Sequence, residues 1–214
     1  MKSAPKPRVL LADDHTLVAE ACCKLLEPEF QVVGVVPDGR ALLRVLPQLQ
    51  PDVVVLDIGM PLLNGLDAGE QAKQLLPGVK LIYLTMNQDA ELANEAFRRG
   101  ASGYLLKTGA ASELVAAVRC VLRGKSYISP RIAREMKPTL SRTGKSKARS
   151  RITPRQREVL QLLAEGRSMK EVANVLELTP RTVAYHKYRI MEVLRLKSNA
   201  ALVQYAIRNR VIQG

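Results

Sequence analysis

Tryptophan is absent from this chain of 214 residues, and there are only 2 phenylalanines and 6 tyrosines. Proteins that bind single-stranded nucleic acid stack bases on aromatic side chains, so that mode of recognition has little to work with here. Cysteine is scarce as well: Cys22, Cys23 and Cys120. Adjacent cysteines seldom pair, one thiol would be left over, and no pair has a zinc-finger spacing to histidine. The expected state is buried or free thiols in a reducing compartment. No apolar run approaches the roughly 20 residues of a membrane span. The first eight residues are basic and proline-bearing, with no apolar stretch or cleavage site behind them. A soluble, cytoplasmic protein without a membrane partner is expected. Acidic residues are also in deficit, 20 against 33 Lys and Arg, for a formal net charge of +13. Such basicity points toward a polyanionic partner.

The charge is not spread evenly. Residues 1–124 hold 13 Lys and Arg against 14 Asp and Glu, a net of −1, whereas residues 125–214 hold 20 against 6, a net of +14. Residues 137–151 contain six basic residues, no acidic one and no apolar period. That segment reads as a solvated linker. The expected organisation is a first domain over 7–124, a basic linker over 125–151 and a second domain over 152–214.

Apolar runs predict strands at 8–13, 31–36, 52–57, 79–85 and 103–106. Helical periods follow each, at 17–26, 39–46, 65–76, 90–99 and 112–122. The run Val53-Val54-Val55-Leu56 is continuous rather than alternating, as in a parallel strand covered on both faces. Five β-α repeats with right-handed crossovers predict an α/β domain, a flavodoxin-like five-stranded parallel sheet in the order 2-1-3-4-5. The second half reads as a small all-α, four-helix domain. Thr153-Pro154-Arg155-Gln156 and Ser168-Met169-Lys170-Glu171 are capping boxes, Thr179-Pro180 starts a third helix and Ser198 a fourth. The turn between the second and third helices is very short, which is the helix-turn-helix arrangement.

Ligands of a doubly wound sheet sit at the carboxyl ends of the strands, near the topological switch point. Asp13 and Asp14 close the first strand, Asp57 the third and Thr85 the fourth, and Lys107 follows the fifth. Three carboxylates converging in one cleft repel unless a hard cation joins them, and Mg2+ with waters and a phosphate oxygen fits. An aspartate can take a phosphoryl group as an acyl phosphate, with cation, ammonium and hydroxyl groups around the transferring oxygens. Taken singly, an Asp after a strand is an N-cap and a Lys is solvated. All of them at strand ends together is what carries the reading.

Residues 8–124 resemble the receiver domain of bacterial two-component response regulators. The matching residues are Asp13-Asp14, Asp57-Ile58-Gly59-Met60-Pro61-Leu62-Leu63-Asn64-Gly65, Thr85 and Tyr104-Leu105-Leu106-Lys107. Residues 152–212 are similar to the LuxR-type helix-turn-helix, and the combination is that of the NarL/FixJ family. The resemblance implies a transcription factor rather than an enzyme, controlled by phosphorylation of Asp57 by a partner histidine kinase. It implies that Asp13, Asp14, Asp57 and the Gly59 backbone carbonyl hold Mg2+, that Lys107 contacts the phosphoryl oxygens, and that Thr85 and Tyr104 are the switch pair. Tyr104 is expected to turn inward as Thr85 moves to the phosphoryl group. Gly59 and Asn87 occupy positions that influence dephosphorylation, including by the domain itself. Met86 is larger than the residue common after the switch threonine, and Thr108 stands where many receivers have proline. His15 is expected as an N-cap or first-turn residue rather than a metal ligand.

The third helix of the second half should enter the major groove of double-stranded promoter DNA. Thr179, Arg181, Thr182, Lys187 and Arg189 face phosphates in this reading, and Ala184, Tyr185 and Tyr188 face bases. Ala184 is short where the family often has lysine, so base readout should be more apolar. Val183 and Ile190 should face the core. The last helix, with Ala201, Leu202 and Tyr205, resembles the family's dimerisation helix and implies an active homodimer. RNA polymerase is a further candidate partner. Whether phosphorylation relieves masking or drives dimerisation stays open. A haloacid-dehalogenase-type phosphatase would need an acid two residues after Asp57, and that position is Gly59. An RNA- or protein-binding basic half is the other alternative.

Overall fold

The computed structural model describes residues 5–86, 88–135 and 152–212. The chain divides into two compact units, one built on a sheet and one of helices alone. In the first, β1 (Arg8–Ala12), β2 (Gln31–Val36), β3 (Val53–Asp57), β4 (Lys80–Thr85), β5 (Gly103–Leu106) and β6 (Tyr127–Ile128) pair in the order β2-β1-β3-β4-β5-β6. All pairings are parallel. They are joined by α1 (Thr16–Leu26), α2 (Gly39–Leu49), α3 (Gly65–Leu75), α4 (Ala90–Arg98) and α5 (Ala110–Leu122), and α6 (Pro130–Glu135) follows β6.

The five expected strands and their order are present, and the sheet has a sixth strand that the sequence reading assigned to the linker. Gly124 turns the chain with φ +77, and Tyr127 and Ile128 then pair with Gly103 and Tyr104. Ser129 fixes the addition: its hydroxyl donates to Glu113 at 2.6 Å and accepts from the Leu106 N–H at 3.3 Å. Ile132 of α6 is fully buried. A two-residue strand is too short to show a period, which is why composition alone assigned it to the basic segment. The expected linker stretch 137–151 lies outside the described residues.

Period-2 alternation divides the sheet's side chains between two cores. Val9, Leu11, Val53, Val55, Ile82, Leu84 and Leu105 pack with Cys22 and Leu26 of α1 and Leu114, Val118 and Val121 of α5. Leu10, Val54, Leu56, Leu81, Tyr83 and Tyr104 are buried on the opposite face. Each such side chain contributes roughly 1.5–3 kcal/mol by its removal from water. β3 is buried at every residue, so Asp57 ends a strand with no solvent face.

The second unit comprises α7 (Pro154–Ala164), α8 (Met169–Leu176), α9 (Pro180–Leu194) and α10 (Asn199–Arg208). Both capping boxes are formed, Thr153 with Gln156 and Ser168 with Glu171. Thr179 and Ser198 cap the other two helices through their hydroxyls. Glu177, left-handed at φ 54, makes the turn between α8 and α9. Val159, Leu160, Leu162, Val172, Val183, Ile190, Leu202 and Ala206 form the core. Leu202 was expected on a dimerisation face. At 2% exposure it is a core residue of its own unit and offers no surface to a second copy.

Candidate functional site

At the carboxyl end of the sheet, β1 and β3 are hydrogen-bonded neighbours. The residues that leave them, Asp13 and Asp57, are both buried, at 6% and 1% exposure. Asp14 beside them is exposed. Asp13, Asp14, His15 and Asp57 bring ligand atoms within 4.8 Å of one another. Lys107, at the end of β5, reaches into this cluster. Its Nζ donates to Asp13 Oδ1 at 3.0 Å and lies 2.8 Å from Asp13 Oδ2 and 3.0 Å from Asp57 Oδ2. Those two Oδ2 atoms are buried, with the Lys107 ammonium as their shared partner.

The electrostatics follow from this crowding. Burial raises the Asp57 carboxyl, Lys107 pulls it back, Asp13 adds repulsion, and the Gly59 backbone N–H lowers it somewhat; the net direction is up. Burial alone would lower the Lys107 ammonium, but the Asp13 and Asp57 carboxylates outweigh it and hold Lys107 up. One ammonium thus faces two buried carboxylates with a third, Asp14, beside them, and an oxygen-rich cleft results.

Local structure sets these positions. Gly65 opens α3 directly behind β3, and its N–H donates to the Ile58 carbonyl at 2.9 Å. A Cβ there would stand 2.0 Å from the Asp57 carbonyl oxygen, so only glycine lets the helix start so close to the strand end. Asn64 caps α3 by accepting from the Asp67 N–H at 3.0 Å. His15 occupies the N-cap position of α1 but makes no side-chain cap. Its Nδ1 instead lies 3.2 Å from Asp13 Oδ1 and 3.1 Å from Asp14 Oδ1. Beside the acids, an open groove of about 510 Å3 runs between α1 and the end of β2, lined by Asp13, Asp14, Glu20, Lys24 and Val36 among others.

Thr85 is buried at the end of β4, one step past Leu84, which pairs with Asp57. Tyr104 shares its sheet face and is fully buried. Burial pushes the Tyr104 phenol well up, offset in part by the Thr85 hydroxyl. Tyr104 is thus held in the inward, buried position in this structure. Met86 is 65% exposed at the rim, and Asn87 lies outside the described residues.

One cluster escaped the sequence reading. Arg99, at the C-cap of α4, bonds Asp67 at 2.7 Å and Glu70 at 3.1 Å on α3, and Glu95 at 2.8 Å on its own helix. Glu95 and Arg99 are four apart in sequence, a spacing that marks only a local helix pair. The Asp67 partner is 32 residues away and has no such signal.

In the helical unit, Arg181, Tyr185, Tyr188 and Arg189 are exposed on α9, while Thr182, Ala184 and Lys187 are half-buried. Val183 and Ile190 face the core. Thr179 and Thr182 bond each other, hydroxyl to hydroxyl, at 2.9 Å. Arg189 pairs with Glu192 at 2.6 Å. On α10, Ala201 and Tyr205 are half-buried, and Ile207 is 42% exposed.

Comparison with known proteins gives both units a family. Residues 9–119 match the response regulator receiver domain, and residues 150–206 match the luxR family of bacterial regulatory proteins. The oxygen regulatory protein NreC of Staphylococcus carnosus is 33% identical over 96% of this chain and 99% of its own length. The transcriptional regulatory protein MctR of Rhizobium johnstonii is 32% identical over 99% and 98%. Among solved structures, the RcsB response regulator of Salmonella typhimurium is 28% identical, with a TM-score of 0.63 over 94% of this chain and 97% of that one. A structure of an RcsB–DNA complex is 29% identical with a TM-score of 0.58, again over 94% and 97%. No helix among the described residues is long and apolar enough to cross a membrane. Receiver fold, helix-turn-helix and full-length relatives agree: this chain belongs to the NarL/FixJ family of two-component response regulators, DNA-binding transcription regulators of the LuxR type.

Proposed function

We propose that Asp57 accepts a phosphoryl group from a partner histidine kinase or a small phosphodonor, and that the acyl phosphate controls binding of promoter DNA by the helical unit. The observation that carries this is the buried contact of Lys107 with Asp57 and Asp13, at 3.0 and 2.8 Å, in a receiver-matched fold. An Asp57 oxygen attacks phosphorus as the donor leaves. Lys107 then holds the new phosphoryl oxygens, and Thr85 donates its hydroxyl to them.

Magnesium fits the donor set. Asp13, Asp14 and Asp57 present carboxylate oxygens within 4.8 Å of one another, against a single ammonium, and the Gly59 carbonyl is the proposed further ligand. When bound, the ion would neutralise charge on the transferring oxygens. Thr85 and Tyr104, both buried on neighbouring strands, are proposed as the switch pair: Thr85 moves to the phosphoryl group and Tyr104 packs into the space it leaves. Hydrolysis of the acyl phosphate at the same site would reset it.

For the helical unit, α9 is proposed as the recognition helix. Thr179, Arg181, Thr182, Lys187 and Arg189 would lie along phosphates, and Ala184, Tyr185 and Tyr188 toward bases. One solved relative is described as two RcsB dimers bound to two parallel DNAs. By that analogy the active form here is a homodimer, formed through the outer face of α10 around Ile207, with Ala201 and Tyr205 at its margin. The site of action is the cytoplasm, with RNA polymerase a candidate partner on the promoter.

The test joins both halves. Treatment with acetyl phosphate and Mg2+ should add one phosphoryl mass, lost in Asp57→Asn and in chelator. Selection of double-stranded DNA with treated and untreated chain should then enrich a two-fold site, more strongly after treatment. Phosphorylation that persists in Asp57→Asn, or selection that enriches no site, overturns the reading.

A further inference from the structure

The outward face of α9 carries one exposed arginine, Arg181, at its start and two tyrosines beyond it. Arg181, Tyr185, Tyr188 and Glu192 follow one another along it at helical spacing, all exposed. Tyr185 and Tyr188 are 62% and 64% exposed. Neither ring belongs to the core of its unit. Tyr185 stands edge to face with His186, with ring centres 5.6 Å apart. Two neighbouring cations have partners on this same face. Arg189 is held by Glu192 at 2.6 Å, and Lys187 keeps its Nζ 6.0 Å from the centre of the Tyr188 ring.

Major-groove readout assigns each base its own side-chain partner. Guanine is read by a cationic fork, adenine by Asn or Gln, and cytosine by a carboxylate. The stretch Ala184–Tyr188 holds no amide, no acid and no arginine, and its one lysine and one histidine are half-buried. The apolar contact open to the Ala184 methyl and to the faces of the Tyr185 and Tyr188 rings is the thymine C5 methyl, the apolar group of the major-groove edge.

We infer that Tyr185 and Tyr188 are specificity-determining residues that select thymine methyl groups in the DNA half-site. This rests on the proposed role of α9 as recognition helix and names the base class it reads. Three residues along a helix span about 4.5 Å, against about 3.4 Å per base pair, so the two rings address thymines of neighbouring base pairs. Ala184, with no side chain beyond Cβ, leaves room for the rings to lie against the methyls.

The experiment uses the full chain, treated with acetyl phosphate and Mg2+, on its selected site. Thymines of the half-site are replaced one at a time by deoxyuridine, which keeps every hydrogen bond and loses only the methyl. Affinity should fall about three- to fivefold at each of two neighbouring positions, the value of one buried methyl. Tyr185→Ala should weaken binding to the thymine site and become indifferent to deoxyuridine at one position, and Tyr188→Ala at the other. Tyr185→Phe should keep the methyl dependence, because the ring and not the hydroxyl makes the contact. A selected site bound equally with thymine and deoxyuridine overturns the inference and leaves the DNA-binding reading standing. So does methyl dependence that survives both alanine variants. Failure to select any site overturns both together. The deoxyuridine arm needs no variant, so it reads the wild-type fold.

Discussion

Tyr83 and Tyr104 are register partners on β4 and β5, both fully buried. Burial raises both phenols well above their usual range. The folded state therefore keeps both protons after the unfolded chain has begun to lose them near pH 10, and stability falls as pH rises beyond that point. The Cys22 thiol, pushed up to about 11 by burial, acts with the same sign beginning at lower pH. Each phenol should contribute a slope of roughly 1.4 kcal/mol per pH unit above about pH 10. Tyr83→Phe and Tyr104→Phe should each remove one such share in urea unfolding followed by circular dichroism across that range. An unchanged slope in both variants would refute the account. The Tyr83 hydroxyl also dictates a neighbour. A Cβ on Gly69 of α3 would lie 2.0 Å from it. Glycine to alanine in a helix normally stabilises by up to about 1 kcal/mol. Here Gly69→Ala should instead cost about 1–3 kcal/mol through overpacking, and Tyr83→Phe in the same chain should recover part of it. Stabilisation by Gly69→Ala alone would show that the ring yields freely.

Among the elements, α10 is where sequence reading and structure part most usefully. Ala201, Leu202 and Tyr205 share a helical stripe, and a stripe has the same period whether it faces the unit's own core or a second copy. Only packing separates the two, and it puts Leu202 inside. Leu202→Ala should therefore cost about 2–5 kcal/mol and strip hydrogen-exchange protection from α7 and α10. Ile207→Ala, on the outer face, should leave that protection within about 0.5 kcal/mol of wild type. Dimer loss with intact protection in Leu202→Ala would restore the original reading. Elsewhere the elements were legible because their signals are local. β3 is a run of buried aliphatics, and Thr153, Ser168, Thr179 and Ser198 all cap the helices they were expected to start. The acidic cluster was legible because Asp13 and Asp57 end strands that the topology makes neighbours. What stayed hidden is non-local or too short. The Arg99 bridge to Asp67 depends on how α3 and α4 pack, and β6 has only two residues. The buried setting of Tyr104 is a rotamer, which no spacing encodes.

For the whole molecule, the decisive quantity is the net of −1 on residues 1–124 against +14 on residues 125–214. Only the second value should enter DNA affinity, through counterions released from phosphates. On α9 the candidate contacts are Arg181, Lys187 and Arg189, and the last is not free, since Glu192 holds it at 2.6 Å. A homodimer that engages all three on each copy neutralises about six phosphates, so log affinity should fall against log salt with a slope of about −5. The exposed Glu192 opposes this twice, by occupying Arg189 and by adding its own negative charge to the face proposed to meet DNA. Glu192→Gln should accordingly tighten binding at all sequences alike and steepen the slope, while Arg189→Ala should flatten it by about two across the dimer. Fluorescence anisotropy with a selected and a scrambled duplex, each over a salt series, separates these effects from base readout. Equal changes on both duplexes identify Arg189 and Glu192 as backbone terms. A change confined to the selected duplex would move Arg189 among the residues that read bases.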